Sequence, residues 1–162
     1  MHHSIRSIRV GTLAFGLGLA LLASDACALF IVNQPWLLPA KSGQTTKSYM
    51  NLTSTDGATL VAVRTDEAAA IAIRGPGQSG RTIAQLPLPA KTLVSLVPGK
   101  EYIFIINLKR TVKLGDRVAL TLTVEEADGT RKDISVLAEA RMRSPVDDEA
   151  RAHHDHDRDH KH

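Results

Sequence analysis

Cysteine, histidine and aromatic residues are scarce in the body of this 162-residue chain. Its one cysteine is Cys27, and Trp, Tyr and Phe together make up 4% of the residues. Of the seven histidines, His2 and His3 open the chain and the other five lie at or beyond His153, so no imidazole stands between them. Each absence excludes a class of chemistry. A serine or threonine nucleophile needs a nearby base, usually histidine, and the body offers none. Cysteine nucleophiles and thiolate metal sites are excluded with it. "RGPGQSG" at 74–80 is glycine-rich, but it lacks the Gly-Lys-Ser/Thr ending of a phosphate loop and reads as a surface turn. Asp66-Glu67 is an adjacent carboxylate pair of the kind found on solvated loops. There is no catalytic constellation, and the chain is expected not to be an enzyme. A block of Lys and Arg with interleaved aromatics is also missing, which argues against nucleic acid as a partner.

The first 28 residues predict export. Arg6 and Arg9 precede the apolar run "GTLAFGLGLALLAS", and "ACA" at 26–28 supplies the small residues of a cleavage site. A charged start, an apolar middle and an A-x-A end are the parts of a secretory signal peptide. The run is too short for a membrane span, which needs about 20 apolar residues. Cleavage after Ala28 removes Cys27 and leaves about 134 residues, enough for one domain with a real core. The formal net charge of +3 becomes +2 once Arg6, Arg9 and Asp25 leave. Lipidation at Cys27 is the alternative, but Asp25 and the absence of an aliphatic residue in "SDA" fit that signal poorly.

From 29 to about 143 the pattern is that of strands and turns. In "RVALTLTVEE", Val118, Leu120, Leu122 and Val124 alternate with Ala119, Thr121, Thr123 and Glu125. Such period-two alternation marks a half-buried strand. "KDISVLAEA" continues it with Ile134, Val136 and Ala138, and Asp128-Gly129 between the two predicts a hairpin turn. "KSYMNLTS", "TLVAVRT", "AIAIR", "TLVSLV" and "EYIFIINL" are further strands. The separators "STDG", "RGPGQSG", "PGK" and "KLGD" carry turn residues. Many short strands rich in Val, Ile, Leu and Thr predict an all-β, antiparallel β-sandwich.

Residues 144–162 differ in kind. Beyond Asp147 there is no large apolar residue, so this tail cannot build a core. Ser144, Pro145 and Asp147 have the order of a helix start, and a continuing helix would align His153, His156 and His160 on one face. The tail's candidate metal ligands are His153, His154, His156, His160 and His162, interspersed with Asp155, Asp157 and Asp159. Imidazole suits copper, nickel and zinc, and the carboxylates add harder oxygen donors. The spacing matches no closed zinc finger, so the set would be adaptable. The plainer reading is a solvated tail that aids solubility.

Three stretches together resemble the periplasmic copper chaperones of the PCu(A)C type. They are "VNQPWLLPA" at 32–40, "SYMNLTS" at 48–54 and "LPLPAKTLVSLVPGKEYIFIINLKRTVKLGDRVALTLTVE" at 86–125. The family's early tryptophan, Tyr-Met strand, Leu-Pro stretch, Pro-Gly turn and Gly-Asp strand correspond to Trp36, Tyr49-Met50, Leu86 to Ala90, Pro98-Gly99 and Leu114 to Leu122. The resemblance implies a cupredoxin-like Greek-key β-sandwich. It also implies periplasmic copper handling, with delivery to a copper-accepting periplasmic or membrane-anchored protein, typically toward cytochrome oxidase assembly. Family members hold copper(I) with two His and two Met, including a His-x-Met after the Pro-Gly turn. Here that strand carries Tyr102 and Phe104, and the earlier His position falls on or near Arg74. Tyr102 and Phe104 are expected to be buried packing residues that share a face with Ile106, and the metal to be held by the tail. A buffer for nickel, zinc or copper(II) and a metal-free interaction module are the alternatives.

Overall fold

The computed structural model describes residues 29–77 and 80–145. Ten strands follow one another: β1 (Phe30–Leu37), β2 (Thr46–Ser54), β3 (Ala58–Arg64), β4 (Ala68–Arg74), β5 (Thr82–Ile83), β6 (Leu86–Leu88), β7 (Val94–Leu96), β8 (Tyr102–Leu108), β9 (Arg117–Glu126) and β10 (Arg131–Ala140). They form one continuous hydrogen-bonded order, β5-β4-β8-β2-β1-β10-β9-β3-β6, with β7 also pairing β2. β5 and β6 lie at the two ends of that order although only Ala84 and Gln85 separate them in the chain. The sheet must therefore curl until its edges approach, which wraps it into a nearly closed, cupredoxin-like β-sandwich.

Alternation sets the core. On β9, Val118, Leu120, Leu122 and Val124 are all buried, at 1% exposure or less, as the sequence pattern predicts. They meet Leu52 and Met50 of β2 and Ile103 and Ile105 of β8 in one cluster. The β9–β10 hairpin is in unbroken register from Arg117↔Glu139 to Glu125↔Arg131. Its turn closes where Gly129 N–H donates to Glu126 O at 2.9 Å, with Gly129 at φ +83°. That left-handed backbone favours glycine.

Two features depart from the expected pattern. β1 carries Pro35 in its middle and is a strand nonetheless, because the ladder with β2 shifts register between Asn33 and Trp36 and Gln34 takes a positive φ of 50°. This irregularity absorbs the residue that cannot donate to the ladder. The sheet is also not wholly antiparallel: β1 and β10, the first and last strands, run parallel, with Trp36 opposite Glu139 and Leu37 opposite Ala140.

Two inward-facing hydroxyls are accommodated near the bulge. Ser48, fully buried, donates to Trp36 O at 2.9 Å, and Thr46 donates to Leu38 O. A buried hydroxyl left without a partner would cost about 1–3 kcal/mol, so these bonds fix how β1 lies on β2.

Candidate functional site

Register carries a second set of side chains to the opposite face of the sheet. Trp36 on β1 stands opposite Tyr49 on β2, Lys47 on β2 opposite Phe104 on β8, and Arg74 on β4 opposite Tyr102 on β8. Since Leu37, Ser48, Ile103 and Ile73 point into the core, period two turns their neighbours outward. Four of the chain's six aromatics thus gather on one outer face.

That face is largely covered. Trp36, Tyr49 and Tyr102 are only 4%, 4% and 3% exposed, with Leu38 and Phe104 packed beside them. The cover comes from loops. β2 is paired with β8 up to Ser48↔Ile103 and with β7 from Met50↔Leu96, so the intervening residues 97–101 leave the ladder beside Tyr49. Val97 and Pro98 of that loop, with Met142, Arg143 and Ser144 beyond β10, join Trp36, Leu38 and Tyr49 around a cavity of about 460 Å³. The indole of Trp36 and the ring of Tyr49 lie 4.6 Å apart between centroids, tilted by 36°. Burial, and secondarily the neighbouring Tyr102, pushes the Tyr49 phenol above its usual pKa.

Arg74, Tyr102 and Phe104, which the sequence places at the resembled family's metal positions, do come together. The Arg74 guanidinium sits 4.9 Å from the Phe104 centroid, and the Phe104 ring meets Tyr102 edge-on at 6.0 Å. Lys47 Nζ lies 4.6 Å from the centroid of Tyr102. Arg74 donates to Gly80 O at 3.1 Å through one terminal nitrogen, and Tyr102 OH donates to Gly77 O at 3.3 Å. Gly80 is so closely packed that a Cβ there would collide with the Gly75 carbonyl oxygen. Arg74 Nε is buried without a hydrogen-bond partner among the described residues. The chemistry of this group is cation on aromatic. Guanidinium, phenol and phenyl supply neither the imidazole nor the thioether that copper(I) prefers.

The sequence expectation for these residues needs one correction. Tyr102 and Phe104 do share a face with Ile106, but it is the outer face, and Phe104 is half-buried rather than a core residue. Ile103 and Ile105 are the core positions of that strand, both at 0% exposure.

The tail residues His153, His154, Asp155, His156, Asp157, Asp159, His160 and His162 lie outside the described residues, as does the leader 1–28. Of the expected helix start, Ser144 and Pro145 are described and the remainder is not. Among the described residues, no group of three or more His, Cys, Asp or Glu is placed to hold a metal. The Trp36–Tyr49 cavity was not foreseen from the sequence. Its signal lay in parity: Tyr49 falls between Ser48 and Met50, out of phase with the core positions of its strand.

The sequence profile of the LpqE-like family, whose description is of a lipoprotein, matches residues 31–136. No curated protein matches the chain. Solved structures similar to it include the apo PCuAC domain from PmoF1, 23% identical with a TM-score of 0.57, covering 69% of this chain and 94% of that one. The copper-bound PCuAC domain from PmoF2 is 16% identical, with a TM-score of 0.54 and coverages of 69% and 93%. The solution structure of CuI-DR1885 from Deinococcus radiodurans is 23% identical, with a TM-score of 0.52 and coverages of 74% and 85%. At these identities the likeness establishes the fold.

Proposed function

We propose a function from the premise that this chain belongs to the LpqE-like family and has the PCuAC fold: it is an exported copper-handling protein that carries its metal on the C-terminal tail. The observation behind this reading is the donor chemistry of the sandwich. The face that gathers Arg74, Tyr102 and Phe104 offers copper no suitable ligand, whereas five imidazoles follow Ser144. The copper bound by the PmoF2 domain and by CuI-DR1885 supports the choice of metal. Copper is cargo here, passed to an accepting periplasmic or membrane-anchored protein such as one serving cytochrome oxidase assembly. Export is supported by the leader sequence and by the family's lipoprotein description.

The test is a metal titration of residues 29–162 beside a chain in which His153, His154, His156, His160 and His162 are alanine. Stoichiometric copper binding should be lost with the histidines. Free imidazole titrates near pH 6.5 and must lose its proton to bind metal, so affinity should fall steeply from about pH 7 to pH 5. Copper binding that is undiminished at pH 5, or that survives the alanine replacements, refutes the tail as the carrier. Equal affinity for nickel and zinc would instead favour a divalent-metal buffer.

A further inference from the structure

We infer that the free edge of β4 is a self-association site, where a second copy of this chain adds its own β4 antiparallel about a two-fold axis at Ala70. This contact belongs to the sandwich alone and is independent of where metal is held. β4 pairs β8 from Ala68 to Arg74, but on its other side β5 reaches only Ile73 and Arg74. An antiparallel strand aims N–H and C=O of alternate residues at opposite neighbours. Along Ala68–Ala72 the groups turned away from β8 therefore have no strand to bond among the described residues. Ala69 and Ala70 are exposed there.

Unpaired edges invite pairing, and folded domains blunt them with charge, proline, bulges or shortness. Other free edges of this sandwich carry such devices. They are Pro35 and the irregularity at Gln34 in β1, a register shift before Ala62 in β3, Pro87 in β6, and Arg131, Lys132 and Asp133 at the start of β10. Ala68-Ala69-Ala70-Ile71-Ala72 has none of them. The run also complements itself. Pairing about Ala70 sets Ala68 opposite Ala72 of the second copy and Ala69 opposite Ile71, so no like charges oppose. The lengths match, because a turn at Asp66-Glu67 brings the chain in just ahead of Ala68 and β5 takes the edge at Ile73. The Ile71 side chains of the two copies become diagonal neighbours, close enough for apolar contact. Ile71 borders a cavity of about 250 Å³ between β3 and β4, lined also by Val61, Val63, Ile73 and Ile83, so an added strand covers apolar surface as well. A ladder this short buries far less than the roughly 800 Å² per partner of a standard interface. The dimer is therefore weak and concentration-dependent.

The test follows residues 29–162 by sedimentation velocity from about 10 μM to about 1 mM, where mass action should carry wild type from monomer toward dimer. Ala70→Lys and Ala70→Glu each set two like charges face to face across the axis, and each should weaken dimerisation by about tenfold or more. A one-to-one mixture of the two should restore it, since opposite charges then meet. The one cysteine, Cys27, lies ahead of residue 29, so Ala70→Cys supplies a single thiol per chain. Directly opposed residues of antiparallel strands have Cα atoms about 4.5–5.5 Å apart, a span that a disulfide bridges. With oxidised glutathione, Ala70→Cys should cross-link much faster than Leu137→Cys, an exposed position on β10. A wild-type chain that stays monomeric at the highest concentration overturns the inference. So does a dimer that both charge variants leave intact, or one that their mixture fails to restore. Faster cross-linking by Leu137→Cys moves the contact to β10 and overturns it equally. Urea midpoints matching wild type exclude misfolding of the Ala70 variants as the cause.

Discussion

Neighbouring residues on β8 should respond very differently to truncation, and the difference tests the assignment of its two faces. Ile105 is fully buried between Thr46 on β2 and Ile71 on β4, inside the main core. Removing it to Ala deletes three carbons and leaves a cavity, which in such cores costs about 2–5 kcal/mol. Phe104 is larger, and a fully buried Phe→Ala change would cost about 3–5 kcal/mol. On the outer face, however, it is half-buried, and its distinctive contacts are the Arg74 guanidinium at 4.9 Å and the edge of Tyr102 at 6.0 Å. Half of that cost, which already contains the aromatic pairing, gives about 2 kcal/mol for Phe104→Ala. Urea unfolding of residues 29–162 measures both. With m near 1.5 kcal/mol/M, in the range of small domains, the Phe104→Ala midpoint should fall by about 1.3 M and that of Ile105→Ala by more. A Phe104→Ala loss equal to or above that of Ile105→Ala would refute the facial assignment. A loss below about 0.5 kcal/mol would show that the aromatic cluster contributes no packing there.

Other perturbations probe the remaining contacts. Ser48→Ala should cost about 1–2 kcal/mol, because it leaves the buried Trp36 carbonyl without its hydroxyl donor; urea unfolding with no change in midpoint would contradict this. Asp133 has its pKa lowered, first by the Thr123 hydroxyl and then by Arg64. A depressed carboxyl contributes stability above its unfolded pKa of about 3.9 and loses it as pH falls through the folded value. Asp133→Asn should therefore flatten the decline in stability below about pH 4, measured by urea midpoints from pH 5 to pH 2; an unchanged slope would refute the linkage. Gly129→Ala should cost about 1–2 kcal/mol from the left-handed backbone alone, since no described residue lies within 4 Å of the added Cβ; a neutral result in thermal melts would mean the turn rearranges.

Strong alternation made much of the sandwich legible in the sequence. Val118 to Val124 on β9 announced both a strand and its buried face, and Asp128-Gly129 announced the turn that follows. β1 was hidden because Pro35 breaks the pattern and only the bulge reconciles it with a ladder. β5 and β6 were hidden because two or three residues, one of them Pro87, carry no readable period. The outer aromatic face was half legible. Period two shows that Tyr102 and Phe104 share a side, but whether a side is covered depends on distant loops such as Val97-Pro98, which no local pattern encodes. Of the candidate site, the sequence offered the tail's histidines as candidate ligands, which lie outside the described residues, and missed the cavity, because Trp36, Tyr49 and Met142 meet only through the fold.

The parallel pairing of β1 with β10 gives the domain a polarity. The chain enters at Phe30 and, seven residues later at Leu37, reaches the level at which β10 ends, opposite Ala140. At about 3.3 Å per residue the two poles are about 23 Å apart. Anything attached ahead of Leu29, a lipid on Cys27 included, would hold the domain by one pole and present Met142 and Ser144 at the other. A surface-tethered molecule would hold the Ala140 pole outward like the tip of a mast. A fusion at the N-terminus should spare that end of the domain, whereas one at the C-terminus would crowd it.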